Sequence, residues 1–367
     1  KQVRDYYARS QIVDLSDVEY IKDTSLDFCK KQNLKSAMVK SIGLLQTSSF
    51  DEISQVINDS LKLGLNGDEG YDWVKDFEER FKPRFRNPIT TGWELVDNLC
   101  KGGLGQKELG VVIAPTGAGK SMALVHLGTQ ALKQGKTVIH YTLELQDTVV
   151  ASRYDSCLTQ IPLQQLMSYK EKILEEVSEI KGRLIVKEYP TKSASTQTIQ
   201  NHLEKLKMRN IHADMIIIDY GDLLRPVRYQ KEKRSELESI YEELRGMATI
   251  YECPVWTASQ TNRSGLNAEV ITMESISEAF NKCFVADFIF SISRTIEDKT
   301  TNGGRIFIAK NRNGPDGVLF PLLMDTASVK IKVLEPQAED EFIEVNMKKQ
   351  KQNLVEKYKK FRKTNGG

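Results

Sequence analysis

From residue 89 onward, short unbroken apolar runs alternate with stretches in which apolar residues return every three or four positions. Candidate strands are Leu109 to Ile113, Val138 to Thr142, Met215 to Ile218, Val255 to Ala258, Phe288 to Ile292, Ile306 to Ala309 and Val329 to Val333. Between the third and fourth of these, Ser235 to Ile250 sets Leu237, Ile240, Tyr241, Leu244, Met247 and Ala248 at helical spacing. Strands that are apolar throughout have both faces buried, and strands alternating with helices predict a mostly parallel sheet with helices on both sides. The fold class is therefore α/β.

The first 70 residues read differently. They are rich in helix formers, and Ser49-Phe50-Asp51-Glu52 has the form of a capping box opening a helix with Ile53, Val56, Ile57 and Leu61 on one face and Gly64 as its stop. After the turn-like Asn66-Gly67-Asp68-Glu69-Gly70, Trp73, Phe77 and Phe81 stand four apart and predict an aromatic stripe before Pro83 and Pro88. Packing into its own domain's core and docking on a neighbouring subunit are both open for that stripe. Near the other end, Glu339-Asp340-Glu341 precedes a Lys-rich run from Lys348 to Lys363, as in a solvated helix or a disordered tail. The predicted division is a helical region over 1–70, a linker helix and linker over 71–88, an α/β domain over 89–335 and a charged tail over 336–367.

Composition narrows the class without choosing a function. With 367 residues, 40% hydrophobic and 28% charged, the chain has room for one large domain and a smaller one. A net charge of +2 carries no signal for nucleic acid, so any such contact must come from local clusters of Lys and Arg. Cys29, Cys100, Cys157, Cys253 and Cys283 are scattered and never form Cys-x-x-Cys, which argues against a disulfide framework or structural zinc and fits a reducing cytoplasm. No apolar stretch reaches the roughly 20 residues that span a bilayer, and no signal-peptide pattern is present. A start at Lys1 rather than Met is expected of a piece of a longer protein.

The chemistry concentrates in one loop. Ala114-Pro115-Thr116-Gly117-Ala118-Gly119-Lys120-Ser121 matches the Walker A pattern, with Ala114 where the first Gly usually stands. A strand precedes it, and a helix follows with Met122, Leu124, Leu127, Ala131 and Leu132 apolar before Gly135. Backbone N–H groups would then converge on phosphates at a helix N-terminus, with Lys120 on the β- and γ-phosphates of ATP and the Ser121 hydroxyl on Mg²⁺. An accidental Gly-rich turn is the bland alternative.

Asp219 closes the apolar run Met215-Ile216-Ile217-Ile218, the Walker B arrangement that delivers one carboxylate to the metal shell; a capping or turn role for Asp219, kept open by the adjacent Tyr220-Gly221-Asp222, is its rival. Glu144 lies past the strand after the Walker A helix, at the carboxyl edge where open α/β sheets bind ligands, and is the candidate to orient water; an exposed loop carboxylate is the alternative. Glu108 precedes a strand and falls at the opposite edge, out of reach of phosphate.

Taken together, Thr90-Thr91-Gly92 with Leu95-Val96, the Walker A loop, Thr142-Leu143-Glu144-Leu145, Ile218-Asp219-Tyr220, Ser259-Gln260-Thr261-Asn262-Arg263 and Ala309-Lys310-Asn311-Arg312-Asn313-Gly314-Pro315 resemble the DnaB family of hexameric replicative DNA helicases. The likeness covers about two-thirds of the chain and is nearest to phage-encoded members. It implies a RecA-like motor that hydrolyses ATP with Mg²⁺, translocates 5′ to 3′ on single-stranded DNA and unwinds duplex DNA as a ring. A bacterial cytoplasmic protein, or a phage protein in its bacterial host, is implied too, with primase and a helicase loader as partners and no membrane.

Residue roles also follow from the resemblance. Gln260 would sense the γ-phosphate, Arg153 would sit against the adenine, and Lys310 and Arg312 would enter the neighbouring subunit's site as an arginine finger and its companion. The bland readings are a strand cap for Gln260, a surface salt bridge for Arg153 and edge-strand cations for the pair. For DNA, Arg225, Arg228, Lys231, Lys233 and Arg234 form a dense cationic stretch after Walker B, a solvated loop being the competitor. A second loop, Ser275 to Lys282, departs from the family's Arg-Glu-x-Gly, keeping Glu278 but placing Ser277 at the Arg, so Lys282 or backbone N–H groups would substitute. The amino-terminal helices resemble the end of the family's collar and its linker helix. Two rivals share the core: a RecA-like recombinase or other DNA-dependent ATPase without unwinding, and a nucleotide-switched loader that barely hydrolyses ATP.

Overall fold

The computed structural model describes residues 18–45, 50–62, 72–75, 77–78, 81, 86–229, 232–261, 270–271 and 283–336. They fall into two units that divide between residues 84 and 85. In the first, α1 (Val18–Leu45) packs against α2 (Phe50–Lys62). Small residues allow the approach: Ala37, Ser41 and Ser60 are buried, and Asn33 Nδ2 donates to the Ser60 carbonyl at 3.3 Å. Met38, Val39 and Ile42 of α1 stay exposed. The predicted cap Ser49 and stop Gly64 lie outside the described residues.

Over 72–81, where the aromatic spacing predicts a helix, the described residues adopt turns and one 3-10 position instead. Asp72 Oδ1 accepts from the N–H groups of Val74 and Lys75 at 2.9 Å each, the local bond an Asp makes at a turn or helix N-cap. Trp73, Phe77 and Phe81 are exposed, and the last two rings meet at 5.1 Å.

The second unit is built on a 9-stranded sheet in the order β3-β2-β4-β5-β1-β6-β7-β8-β9. Its elements are α3 (Glu94–Leu99), β1 (Leu109–Ala114), α4 (Lys120–Lys133), β2 (Thr137–Thr142), α5 (Asp147–Thr159), α6 (Lys170–Ser178), β3 (Arg183–Glu188), α7 (Thr196–Lys207), β4 (Met215–Asp219), α8 (Lys233–Ile250), β5 (Val255–Gln260), β6 (Phe288–Ser293), α9 (Ile296–Thr300), β7 (Gly303–Asn311), β8 (Leu319–Asp325) and β9 (Lys330–Val333). Strands β3 through β6 in that order pair parallel, and β7, β8 and β9 add on antiparallel.

All seven predicted strands are present, and β3 and β8 are additions that the apolar pattern does not reveal. β3 sits at the sheet edge, half-exposed, so only Leu184, Ile185 and Val186 of its residues are apolar. β8 holds Pro321, which reads as a break; its ring replaces an N–H, yet its carbonyl still accepts from Leu334.

Alternation along each strand divides the core into two layers. On β4, Met215 and Ile217 join Leu124, Leu127 and Ala131 of α4 and Trp256, whereas Ile216 and Ile218 join Leu203 of α7 and Ile240, Leu244 and Met247 of α8. The phosphate-loop helix α4 is thereby clamped to one face.

Gly128 is a point of close approach in that clamp. A Cβ there would lie 2.2 Å from Tyr154 Oη and 2.9 Å from Ile217 Cδ1, and Tyr154 is fully buried with its hydroxyl 2.9 Å from His140 Nδ1. Gly128→Ala is expected to destabilise the unit by about 1–3 kcal/mol despite the better helix propensity of Ala. Thermal unfolding checks it, and an unchanged or higher melting temperature counts against this packing.

Candidate functional site

Register brings the predicted residues to one edge. Thr142 pairs with Asp219 across β2 and β4, and Ala114 pairs with Gln260 across β1 and β5. Because β2, β4, β5 and β1 are adjacent and parallel, their carboxyl ends deliver Glu144, Asp219, Gln260 and the loop from Ala114 to Ser121 to the same rim. There a cleft of about 230 Å³ is lined by Thr116, Gly117, Gly119, Lys120, Ser121, Glu144, Arg153 and Gln260, together with Met122, Leu145, Tyr220 and Thr326.

The loop owes its shape to its glycines. Gly117 and Gly119 hold φ of 71° and 106°, a region that side chains avoid. A Cβ on Gly119 would also lie 2.5 Å from Met324 Sδ. Pro115 follows the buried strand end at Ala114, the Ala118 N–H donates to the Pro115 carbonyl at 3.2 Å, and α4 begins at Lys120. The Lys120 ammonium reaches back to the carbonyls of Ala114 and Pro115 at 3.1 and 3.2 Å. Burial lowers its pKa, opposed by the charges of Asp219, Glu144 and Asp222. Those three acids are the ones a phosphate would compete with.

Asp219 is 2% exposed, and its Oδ1 makes no hydrogen bond. Burial pushes its carboxyl up to about 6; a hydrogen bond from Ser121 pulls it down, Glu144 pushes it further up, and Arg153 and Lys120 pull it down. An unpartnered carboxylate oxygen beside a hydroxyl, both hard oxygen donors in a dry pocket, fits Mg²⁺. The folded value lies above the ordinary 3.8, so the folded chain binds this proton more tightly than the unfolded one. Stability from that proton is present at about pH 4 and is lost as pH rises through about 6. Asp219→Asn is expected to stabilise the metal-free protein at pH 8 by about 1–3 kcal/mol and to give no gain at pH 4. Paired thermal melts at the two pH values check it; a variant that melts lower at pH 8 would show that the carboxylate is not held at a cost.

Gln260 ties the rim together. Its Nε2 donates to Thr116 Oγ1 in the phosphate loop, its Oε1 accepts from Tyr220 Oη at 3.3 Å, and its N–H donates to Asp222 Oδ2 at 3.3 Å. Asp222 also accepts from Tyr241 Oη at 2.8 Å. Asp222 thus bonds across the rim, while the Asp219 carboxylate accepts from Ser121.

Lys310 and Arg312 lie elsewhere. β7 runs antiparallel, and its last residue Asn311 pairs with Phe288 at the start of β6, which is level with Gly110 near the start of β1. The pair therefore stands at the opposite edge of the sheet from its own phosphate loop. Lys310 Nζ donates to the Phe284 carbonyl and sits 4.5 Å from the Phe284 ring, while Arg312 pairs with Asp287 at 2.9 Å. Glu108 is at that edge as well, bonded to Arg86 and Asn313 and held below the usual carboxylate range by them and Gly105 against burial.

A sequence profile of the DnaB-like helicase C terminal domain family matches residues 88–327, well over half of the chain. The chain belongs to this family. The DnaB-like replicative helicase of Enterobacteria phage T4 is 28% identical over 309 residues, 80% of this chain and 65% of that protein. The replicative DNA helicase DnaB of Mycoplasma genitalium is 27% identical over 278 residues, 69% of this chain and 58% of that protein. The chain thus spans less than two-thirds of the length of these relatives. Among solved structures, an isolated ATPase domain superposes with a TM-score of 0.60 at 18% identity, over 71% of this chain and 97% of that one. A DnaB-like replicative helicase described with its interactions with primase gives 0.64 at 16%, over 89% and 81%. The fold is RecA-like.

Within this DnaB-like domain, the cationic stretch after Walker B is only partly described. Arg225 is half-buried and its N–H is fixed to the Ala194 carbonyl at 2.8 Å; Arg228 is exposed. Arg234 is exposed and pairs with Glu238 at 3.1 Å one turn along α8, and Lys233 opens that helix. Lys231, Glu278, Lys282, Asn262 and Arg263 lie outside the described residues. Thr326 and Tyr220 line the cleft although the sequence assigns neither a role there. Thr326 arrives on the turn after β8, the strand hidden by Pro321, so no local signal marks it. No helix among the described residues is long and apolar enough to cross a membrane.

Proposed function

We propose that this chain is the motor of a ring-forming, ATP-driven replicative DNA helicase. The observation that carries the reading is the division of one catalytic set between two edges of the sheet. Lys120, Ser121, Asp219, Glu144 and Gln260 share the carboxyl rim, and Lys310 and Arg312 stand at the amino rim. A cation pair there is useless to its own loop but complements the loop of a second copy placed head to tail, an arrangement that closes into a ring where the rotation between copies allows it. A hexamer is the expected ring.

In that assembly the loop's N–H groups and Lys120 hold the phosphates of ATP, and Arg153 with Leu145 and Thr326 frames the base side of the cleft. Ser121 and Asp219 would hold Mg²⁺, which supplies charge neutralisation on the β- and γ-phosphates. Glu144 orients the attacking water, and Arg312 with Lys310 from the neighbour stabilises charge on the transferring phosphoryl group. Gln260, bonded to Thr116 on one side and through Asp222 to the post-Walker B segment on the other, reports the γ-phosphate to the loop carrying Arg225, Arg228, Lys231, Lys233 and Arg234. Those cations suit contacts to a single-stranded backbone without sequence preference, and Glu278 and Lys282 belong to the second DNA loop.

The exposed Trp73, Phe77 and Phe81 support docking on a neighbouring subunit. A primase is the partner to test first, because a structural neighbour was described with one. The defining experiment measures ATP hydrolysis with and without single-stranded DNA, then unwinding of a forked duplex with a 5′ tail, using Lys120→Ala as the blank. Hydrolysis indifferent to DNA would sink the proposal, and stimulation without unwinding would assign the chain to the recombinase-like alternative.

A further inference from the structure

At the amino edge of the sheet, one buried acid gathers charges that the nucleotide cleft does not use. Asp287, the residue before β6, is 3% exposed. Its carboxylate accepts from the Leu109 N–H at 2.8 Å, from Arg245 Nε at 2.7 Å and from Arg312 Nη1 at 2.9 Å. Its carbonyl accepts from the Arg312 N–H at 3.0 Å. Arg312 is thus held twice by one residue, through backbone and through side chain.

The consequences differ for the two arginines. A carboxylate this deep is costly unless its lone pairs are fully used, and Arg245 on α8 with the Leu109 N–H would already use much of its capacity. The added grip on Arg312 orders a long side chain that stays 51% exposed. A guanidinium is planar and carries donors on several edges, so one held from behind still presents others outward. The rotamer freedom is lost on folding instead of at the moment of reaction, which is what preorganised charge stabilisation requires.

We propose that Asp287 is the positioning residue that aims Arg312 at the neighbouring subunit's phosphates. The proposal rests on the reading of Arg312 as a finger acting in trans. Asp287 touches no substrate; it acts through Arg312, and Arg245 serves only to offset the cost of the acid's burial.

The test uses the full chain with ATP and a poly-dT strand. Asp287→Asn keeps size and an acceptor for Leu109 but removes the charge; it is expected to lower DNA-stimulated kcat by about ten- to a hundredfold and to leave KM for ATP within about twofold, since the chain's own cleft is at the other rim. Arg245→Met, which leaves Asp287 to Arg312 and the Leu109 N–H, is expected to retain kcat. Mixing Asp287→Asn with Glu144→Ala chains is expected to restore activity above either alone, because sites then form from an intact cleft and an intact Asp287–Arg312 pair. A misfolded variant would give no such rescue. Wild-type kcat in Asp287→Asn, an equal loss in Arg245→Met, or no gain on mixing overturns the proposal. A wild-type chain without DNA-stimulated hydrolysis overturns the motor reading itself, and this one with it.

Discussion

With Arg312 replaced by Ala, DNA-stimulated ATP hydrolysis is expected to fall by about 10³-fold or more, the magnitude typical of a lost arginine finger. Nucleotide affinity should change little, because Arg312 stands at the amino rim and the chain's own cleft contains none of its atoms. The sharper expectation concerns mixtures. Combined with Glu144→Ala, which keeps the proposed finger but loses the residue proposed to orient water, each inactive chain is expected to supply what the other lacks. Rate plotted against mixing ratio should pass through a maximum between two silent ends. A straight line joining the two ends would mean that Arg312 serves its own chain, contrary to where β7 delivers it.

Lys120→Ala is the second large effect. The ammonium is half-buried, bonded to two loop carbonyls and shared among Asp219, Glu144 and Asp222. Phosphates would take it over from these weak holders, so its loss removes charge stabilisation needed most in the transition state; hydrolysis should fall by about 10²–10³-fold. Since the lysine is already desolvated, its removal should leave the melting temperature of the nucleotide-free protein nearly unchanged. Turnover measured beside a thermal melt separates these effects, and a variant that unfolds early would show that Lys120 is structural.

Local chemistry was the legible part of this molecule. The loop from Ala114 to Ser121, the strand ending in Asp219 and the placement of Glu144 follow from residues close together in sequence, where the strand–loop–helix order fixes geometry. Strands buried on both faces announced themselves as apolar runs; β3 did not, because an edge position relieves it of apolar demand, and β8 did not, because Pro321 reads as a break. What stayed hidden depends on distant partners. Gln260 was named through family likeness, but its bond to Thr116 exists only because β1 and β5 lie side by side in one register. Asp287 reads in sequence as one more acid before a strand, and its role appears only when Leu109, Arg245 and Arg312 converge on it. The aromatic stripe shows the opposite error, since spacing alone predicts a helix where the described residues form turns.

In the proposed assembly, the reversal of direction at β7 makes each molecule two-ended, with a socket on one rim and a plug on the other. Any open row of such molecules leaves one unfilled socket and one idle plug. Closing the row removes both, so the gain from closure is catalytic as well as structural. Hydrolysis should consequently rise more steeply than in proportion to protein concentration, and dilution should silence the enzyme before it unfolds it.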